Sequence, residues 1–330
     1  MNNIEVVGLG ALNMDYLYQV ERILDDGETV VDEAKSSAGG SAANTIHGLA
    51  KLGANTGFAG VVGDDAEGKT LLHDFRGVGV DTSQIKVKHE AKTGSVLCFS
   101  DRLGKRSLYV LPGANNLLTM DDLDLTYINQ ARILHLSSFA DDRQFEMLLD
   151  LTGKLDLSVK LSFTPGAIYA AKGLKSLAPI LGRTHVLFIN QNEIRDLTGK
   201  DFVTGAETCL EQGCHVVAVT LGRGLELELK REVPDQEMVT AVSYIRDAEN
   251  KYVIESKSQN MAPVADTTGA GDAFAAGFLC GLLNGKGFEE CGRLGGLVAQ
   301  FSITEVGARQ GLPTRNELAR RYRELYKQEL

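Results

Sequence analysis

Short apolar runs alternate with amphipathic stretches along most of the chain. The apolar runs have the length of buried strands, and the stretches between them place apolar residues at helical spacing. The predicted strands are Ile4–Gly10, Thr56–Val62, Ile133–Leu136, Ser158–Phe163, His185–Asn190 and His215–Leu221. The predicted helices are Ser41–Leu52, Lys69–Phe75, Phe145–Leu151, Leu174–Leu181, Gly205–Gln212, Gly271–Leu283, Glu289–Ile303 and Arg315–Lys327. Strands that alternate with helices predict a mostly parallel sheet with helices on both faces.

Two more polar segments, 16–36 and 93–110, interrupt this alternation. They contain short strand patterns at Val30–Glu33, Ser95–Ser100 and Ser107–Val110. Because these segments flank the first strand–helix unit and do not extend it, we predict a small β-rich lid beside the main sheet. The chain contains no repeat and no low-complexity linker, so the expectation is a single domain over residues 1–330 with the lid inserted in it.

Composition limits the classes of partner. The chain has 330 residues, of which 43% are hydrophobic and 24% charged, as in folded globular proteins. A formal net charge of −10 makes it a poor general partner for nucleic acid or an anionic membrane. The first residues show no signal-peptide pattern, and five cysteines without a Cys-x-x-Cys pair suit buried thiols in a reducing compartment. We therefore expect a cytoplasmic protein that binds neither nucleic acid nor membrane.

Residues 63–70 match the Walker A phosphate-binding pattern and lie between a predicted strand and a predicted helix. The chemistry of the loop argues against phosphate binding. Asp64, Asp65 and Glu67 occupy it, and each carboxylate–phosphate pair at ~4 Å costs on the order of 4 kcal/mol at an effective dielectric of ~20. A strand-to-helix turn with an acidic first helical turn is the favoured interpretation, and a P-loop ATPase that uses Lys69 is the alternative.

A second glycine pair, Gly8 and Gly10, resembles the start of a dinucleotide-binding fingerprint. Asn13 stands where the third glycine of that fingerprint is expected, and the residues after it carry no clear helix pattern. This partial match disfavours dinucleotide binding, which requires the glycines to lead directly into a helix.

A third glycine motif, residues 266–272, reads Asp-Thr-Thr-Gly-Ala-Gly-Asp and precedes a long apolar helix pattern. Its glycines leave bare backbone N–H groups at the N-terminus of the predicted helix, where an anion is stabilised. Asp272 lies in the first turn of that helix. An anion cradle beside a carboxylate is what phosphoryl transfer to a hydroxyl needs, because the carboxylate can accept the hydroxyl proton. The structural alternative makes Asp272 only a favourable charge at a helix start.

This third motif resembles the C-terminal signature of the ribokinase-like (PfkB) family of carbohydrate kinases. The resemblance extends over nearly the whole chain, and the other segments similar to family motifs are residues 39–44, 60–68, 112–115, 190–193, 220–222 and 307–308. The segment at 60–68 accounts for the Walker match. The resemblance implies a three-layer α/β/α ribokinase-like fold with a mostly parallel central sheet and a small β lid.

By this resemblance, the chain is an ATP-dependent kinase whose general base is Asp272. The residues whose backbone amides would hold the γ-phosphoryl group are Gly269, Ala270 and Gly271. The residues expected around the nucleotide and its Mg²⁺ are Asn190, Glu193, Thr220 and Gly222. Glu193 would act on Mg²⁺ through water, because Mg²⁺ keeps most of its hydration shell. The structural alternative makes Asn190 and Glu193 a helix cap and its partner.

On the acceptor side, the resemblance implies that Asp15, Gly40 and Asn44 hydrogen-bond substrate hydroxyls. A carboxylate and an amide suit a polyol face, so the expected acceptor is a sugar, with a nucleoside as the alternative. Asp266 and Thr268 would help to bind a monovalent cation such as K⁺, as in family members that use one. The structural alternatives are a turn residue at 15, a solvated side chain at 44 and a surface loop charge at 266.

Three further expectations concern the lid and the remaining rival. The basic lid residues Arg102, Lys105 and Arg106 would supply positive charge for an anionic acceptor. An uncovered edge or face of the lid predicts a homodimer through two lids, as in many members of the family. A non-catalytic binding protein of the same fold is disfavoured because Asp272 is intact.

The sequence departs from the family pattern at two places. Residues 225–250 cannot be aligned, and the glycine expected after 220–222 is displaced to Gly224. Thr164 stands before Pro165 where some members, including nucleoside kinases, have an acidic residue. A contact that depends on that acid is therefore in doubt.

Overall fold

A computed structural model describes residues 4–102, 105–229, 237–255 and 263–330. Part of the stretch 225–250 that could not be aligned lies outside the described residues. The strands are β1 (Val6–Leu9), β2 (Asn13–Val20), β3 (Val31–Gly39), β4 (Thr56–Gly63), β5 (Ile85–Lys88), β6 (Gly94–Asp101), β7 (Arg106–Leu111), β8 (Ile133–Ser137), β9 (Lys160–Thr164), β10 (Thr184–Asn190), β11 (Val216–Leu229), β12 (Glu237–Asp247) and β13 (Lys251–Glu255).

Helices connect most of these strands. They are α1 (Ser41–Lys51), α2 (Ala66–Gly77), α3 (Leu125–Asn129), α4 (Asp142–Lys154), α5 (Gly166–Ala170), α6 (Gly173–Leu181), α7 (Gln191–Thr198), α8 (Phe202–Glu211), α9 (Ala270–Leu283), α10 (Phe288–Ser302) and α11 (Arg315–Tyr326). In the described parts of the chain, no helix combines the length and apolar character that a membrane span requires.

Nine strands form the main sheet, in the order β13-β12-β11-β10-β9-β8-β1-β4-β5. The pairings from β11 to β5 are parallel, and β12 and β13 add an antiparallel edge. Neighbouring residues of one strand belong to different cores: Val6 is in the cluster that includes residues of α1, α9 and α10, whereas Val7 is in the cluster that includes residues of α4, α6 and α8. Both faces are therefore covered, and the predicted three-layer α/β/α fold with a mostly parallel sheet is confirmed.

Four strands form a second, smaller sheet, in the order β3-β2-β6-β7. We call it the lid sheet. It includes residues 13–15 and 37–39, which lie beyond the predicted lid segments 16–36 and 93–110. The chain after Gly10 thus enters a strand and not a helix, so the context that a dinucleotide fingerprint requires is absent there. Gly8 has a packing reason instead, because a Cβ there would lie 2.4 Å from Ile46 Cγ1 on α1.

Candidate active site

The predicted general base lies where the N-terminal turns of α1 and α9 meet. Asp272 is in the first turn of α9, and two side chains of α1 reach it. Ser41 Oγ donates to Asp272 Oδ1 at 2.7 Å, and Asn44 Nδ2 donates to Asp272 Oδ2 at 2.9 Å. These contacts join parts of the chain more than 200 residues apart, and they fix the orientation of the carboxylate.

The ionisation of Asp272 is set by its surroundings. Burial raises its pKa to about 6, although hydrogen bonds from Asn44 and Ser41 and the positive charge of Arg309 lower it. A carboxylate with that pKa is mostly ionised at neutral pH, yet it is a stronger base than an exposed aspartate. The environment therefore suits a group that takes a proton from a hydroxyl.

The N-terminus of α9 lacks a side-chain cap. Its N-cap residue, Gly269, has a left-handed backbone with φ +73°, whereas α2, α4 and α8 are each capped by an aspartate side chain. A Cβ at Gly269 would lie 2.5 Å from Ala308 Cβ, which explains why a glycine faces the Gly307-Ala308 pair. A Cβ at Gly271 would meet open space. The N-terminus of α9, at Gly269, Ala270 and Gly271, is thus an open, positively polarised helix end that fits an anion, and the Ala270 amide there donates to the Thr267 carbonyl at 3.3 Å.

Asp15 lies inside strand β2, so the alternative that makes it a turn residue is wrong. Its side chain packs against the end of β3, where a Cβ at Gly39 would lie 2.1 Å from Asp15 Oδ2. Gly40 has φ +99°, and a Cβ there would lie 2.1 Å from the Ala11 carbonyl. The pair of glycines is therefore required, because one lies against the Asp15 side chain and the other against the Ala11 backbone.

The Asp15 carboxylate carries an unsatisfied acceptor. Oδ1 is buried and has no hydrogen-bond partner. Burial raises the pKa of Asp15 to about 7, with Arg309 lowering it and Asp272 raising it further. A buried acceptor without a donor is costly, so this oxygen fits a hydroxyl supplied by a ligand.

Asn44 is 4% exposed, which excludes the alternative of a solvated helix residue. Its Nδ2 donates to Asp272, and its Oδ1 accepts from Arg309 Nε at 2.9 Å. Both ends of the amide are thus used. Sequence reasoning did not assign Ser41 or Arg309 to the site, because nothing in the linear spacing places them next to Asp272.

Asn190 and Glu193, expected near the nucleotide, form the capping box of α7. Asn190 Oδ1 accepts from the amides of Asn192 and Glu193 at 2.9 Å each, and Glu193 Oε2 accepts from the Asn190 amide at 3.0 Å. The helix-cap alternative is therefore present in the structure. Thr220 pairs with Asn190 across the strands β10 and β11, so the expected nucleotide residues share one edge of the sheet.

The two residues expected to bind a monovalent cation, Asp266 and Thr268, are hydrogen-bonded to each other. Asp266 Oδ1 accepts from the amide and the hydroxyl of Thr268 at 3.0 and 2.8 Å, and Oδ2 accepts from the Gly307 amide at 3.0 Å. Arg106 of the lid sheet forms an ion pair with Asp266. The side chain of Asp266 is 12% exposed, so it is not a surface loop charge. Its charge is compensated by protein groups, and the monovalent-cation site at Asp266 and Thr268 stays a prediction.

In the turn that matches the Walker A pattern, an aspartate side chain occupies the N-terminus of the helix. Asp65 caps α2: its Oδ1 accepts from the Gly68 amide at 2.9 Å, and its Oδ2 accepts from the Thr93 amide at 2.7 Å. Lys69 is 73% exposed and pairs with Asp64 at 3.3 Å. The capping carboxylate thus fills the place that a phosphate would take, which contradicts the P-loop alternative.

Comparison with known proteins decides the family. The model of the pfkB family carbohydrate kinases matches residues 2–224 and 242–315. The chain belongs to the PfkB family of carbohydrate kinases. The protein is therefore an enzyme, a phosphotransferase with an alcohol group as acceptor, as the residues at 266–272 indicated.

Individual relatives of this PfkB kinase agree with that assignment. It is 37% identical over 266 residues to an uncharacterized sugar kinase of Archaeoglobus fulgidus, covering 81% of this chain and 98% of that protein. It is 26% identical to a nucleoside kinase of Methanocaldococcus jannaschii over 97% of both chains. The structure of Arabidopsis thaliana ribokinase complexed with ribose and ATP superposes with a TM-score of 0.76 at 25% identity, covering 96% of this chain and 98% of that one.

Proposed function

We propose that this protein transfers the γ-phosphoryl group of ATP to a hydroxyl of a sugar. The observation that carries the proposal is the position of Asp272 beside the uncapped N-terminus of α9. A base and an anion cradle lie within one helical turn, and side chains of α1 hold the base in place. Helix α10 also begins without a side-chain cap, but its first-turn carboxylates, Glu289 and Glu290, pair with Arg293 and Lys286.

The residues divide the chemistry between them. The Asp272 carboxylate takes the proton of the acceptor hydroxyl, whose oxygen forms a bond to the γ-phosphorus as the bond to the leaving ADP oxygen breaks. The amides of Gly269, Ala270 and Gly271 stabilise the charge on the transferred group. When bound, Mg²⁺ would neutralise the phosphate oxygens, and Glu193, whose Oε2 accepts from the Asn190 amide, would reach it through water. Thr220 and Gly222 line the nucleotide site.

The acceptor side supports a neutral polyol. Asp15 Oδ1 is buried without a donor, and Asn44, which follows Gly40 in the chain, donates to the general base. Two of the three lid cations that would favour an anionic acceptor are paired, Arg102 with Asp32 at 3.3 Å and Arg106 with Asp266. An anionic acceptor would therefore meet carboxylates with little free positive charge to balance them.

A nucleoside is the second candidate for the acceptor. A cavity of about 390 Å³ lies between the lid sheet and the loop before α11. Its lining residues are Leu17, Lys35, Ser36, Ser37, Glu305, Val306 and Gln310. Ser37 pairs with Asp15 across β2 and β3, so the cavity begins beside the expected polyol site. It leaves room for a group larger than a free pentose.

The test is a kinase screen of the purified protein with ATP and Mg²⁺ against pentoses, hexoses and nucleosides, read as ADP release. Asp272→Asn should lower kcat by roughly 10²–10⁴-fold, the usual contribution of a general base, and leave ATP binding nearly unchanged. The matched control is Asp142→Asn, an exposed aspartate in the first turn of α4. A variant at 272 that keeps a tenth of wild-type kcat would remove that residue from the role of base.

A further inference from the structure

Arg309 is a buried cation between the acceptor-side residues and α2. Its side chain is 4% exposed, and it follows the Gly307-Ala308 pair. Its Nε donates to Asn44 Oδ1 at 2.9 Å, its Nη2 donates to the Gly39 carbonyl at 3.1 Å, and its Nη1 forms an ion pair with Asp74 on α2. The three donors of one planar group thus reach three separate elements of the fold.

The contact between Arg309 and Asn44 fixes the orientation of the Asn44 side-chain amide. Because Arg309 has only donors, the Asn44 oxygen must face it, and Nδ2 then faces Asp272 Oδ2 at 2.9 Å. In the flipped amide, Nδ2 would face the donors of the guanidinium and Oδ1 would face the acceptors of the carboxylate. Neither contact could then form a hydrogen bond. The orientation of the general base therefore depends on a residue that does not touch it.

The contact with Gly39 acts on the other carboxylate. The Gly39 backbone packs directly against the Asp15 side chain, so the guanidinium that holds the Gly39 carbonyl also limits how far Asp15 can move. Replacing the guanidinium by a smaller group would free both segments at once.

The charge of Arg309 opposes a cluster of carboxylates. The charged groups that act on Asp272 are Arg309 and Glu193, and those that act on Asp15 are Arg309 and Asp272. Asp74 has a pKa of about 2 and stays ionised, while burial lowers the pKa of the nearby His47. Arg309 is thus the cation that lowers the pKa of both acceptor-side carboxylates.

We propose that Arg309 is a positioning residue for phosphoryl transfer, which orients the general base through the Asn44 amide and holds the acceptor-side carboxylate through Gly39. The kinetic part of this inference rests on the proposed function, whereas the charge coupling can be measured without any acceptor. A residue that only tied α2 to the C-terminal loop would leave kcat unchanged when lysine keeps the charge but not the contact with Asn44.

Three variants separate positioning from charge. Arg309→Gln removes the positive charge, and Arg309→Lys keeps the charge without the planar guanidinium group. Asp74→Asn removes the carboxylate that forms the ion pair with the guanidinium. Arg143→Gln is the matched control, since Arg143 is an exposed arginine that also pairs with an aspartate. ADP release is measured from pH 5 to 9 with D-ribose and inosine as probe acceptors, and the melting temperature is measured from pH 5 to 8 without acceptor.

Arg309→Gln should lower kcat by roughly 10–100-fold, with KM for ATP within about twofold of wild type. The acid limb, which is the fall of kcat/KM at low pH, should move upward by about one pH unit. Arg309→Lys and Asp74→Asn should lower kcat by about tenfold and leave the acid limb in place. In the double variant with Asn44→Ala, the loss should be smaller than the product of the single losses, because both substitutions disturb one contact.

The melting temperature provides the second readout. Both carboxylates have folded-state pKa values above those of an unfolded chain, so their ionisation destabilises the fold as pH rises through about 7. Loss of the cation raises these pKa values further, so the melting temperature of Arg309→Gln should fall more at pH 8 than at pH 5. An equal fall at every pH, or an acid limb that does not move, would overturn the proposal. If Arg309→Gln does not fold, an Arg309→Lys variant with wild-type kcat would overturn it as well.

Discussion

At the scale of single residues, two carboxylates in one site differ in what holds them. Asp272 accepts hydrogen bonds from Ser41 and Asn44, whereas Oδ1 of Asp15 has no donor. This difference agrees with the order of their pKa values, about 6 and about 7, because hydrogen bonds to the ionised form lower a pKa that burial has raised. The less satisfied carboxylate, Asp15, has a buried oxygen left to bind a substrate hydroxyl, whereas the role proposed for Asp272 is to take a proton.

The raised pKa of Asp272 predicts an acid limb in the pH profile. A general base must be ionised, so kcat/KM should fall about tenfold for each pH unit below about 6. The measurement is initial-rate ADP release between pH 4.5 and 8, with the melting temperature recorded as a control for unfolding. A profile flat down to pH 4.5 would contradict the assignment of the base.

The unsatisfied oxygen of Asp15 predicts a defect in acceptor binding. Asp15→Ala should raise KM for the acceptor sharply, by about tenfold or more, because a site built to bind a hydroxyl loses its acceptor group. KM for ATP should stay within about twofold, since the amides of α9 are untouched. Steady-state kinetics with each substrate varied in turn gives both values, and two wild-type values would show that Asp15 lies outside the acceptor site.

At the scale of elements, the two helices that follow glycine motifs, α2 and α9, differ in how their N-termini are capped. The turn before α2 carries Asp65, whose side chain accepts from the helix amide of Gly68. The turn before α9 carries Gly269, which offers no cap. The match of residues 63–70 to a phosphate-binding pattern fails for this physical reason: a helix end that binds its own carboxylate has no free amides for a ligand.

This contrast predicts that Lys69 is dispensable. Lys69→Ala should reduce kcat less than about tenfold and leave KM for ATP unchanged, because the side chain is exposed and pairs only with Asp64 among the described residues. Kinetic assays of the variant beside Asp272→Asn check this. A loss of several orders of magnitude together with weak ATP binding would restore the P-loop interpretation.

The pattern of apolar residues predicted the central strands and most helices, and it failed where burial is partial. Strand β2 was missed because it belongs to the lid sheet and five of its eight residues are only half-buried. Helix α2 was predicted to begin at Lys69 and begins at Ala66, because the cap at Asp65 adds a polar first turn. Helix α7 was missed since a short helix held by a capping box needs little apolar periodicity.

The site itself was only partly predictable from sequence. The family resemblance named Asp272, Asn44 and Asp15, and the structure brings all three together. Ser41 and Arg309 were not found, because their partners are 231 and 265 residues away and short motifs carry no information about such pairings. The contact of the lid residue Arg106 with Asp266 was not predicted either, and the cation expected at Asp266 stays a prediction.

At the scale of the whole molecule, the lid sheet leaves an apolar surface uncovered. Tyr18 stacks on Phe99 with ring centroids 5.1 Å apart, and Tyr109 meets Phe99 edge-on at 6.1 Å. Tyr109 is 58% exposed and Leu111 50% exposed. A contiguous aromatic surface on a small sheet is typical of a protein contact. We propose that a second copy of the lid sheet covers it.

The proposed homodimer predicts a mass of about twice 35.6 kDa by light scattering at micromolar concentration. Tyr109→Glu should shift the protein toward the monomer, because a charge in an apolar interface is costly. The control is Leu157→Glu, which changes an 87% exposed residue away from the lid sheet. A wild-type protein that scatters as a monomer would contradict the proposal.

The long-range contacts around Asp272 also determine when the proposed site can form during synthesis of the chain. The turn before α9 and Arg309 both lie in the last fifth of the chain, while Asn44 and Asp15 lie near its start. At synthesis rates of roughly 5–20 residues per second, about 15–50 s separate the making of Asn44 from that of Arg309. A nascent chain therefore has most of its central sheet before the residues that complete the proposed site have been made.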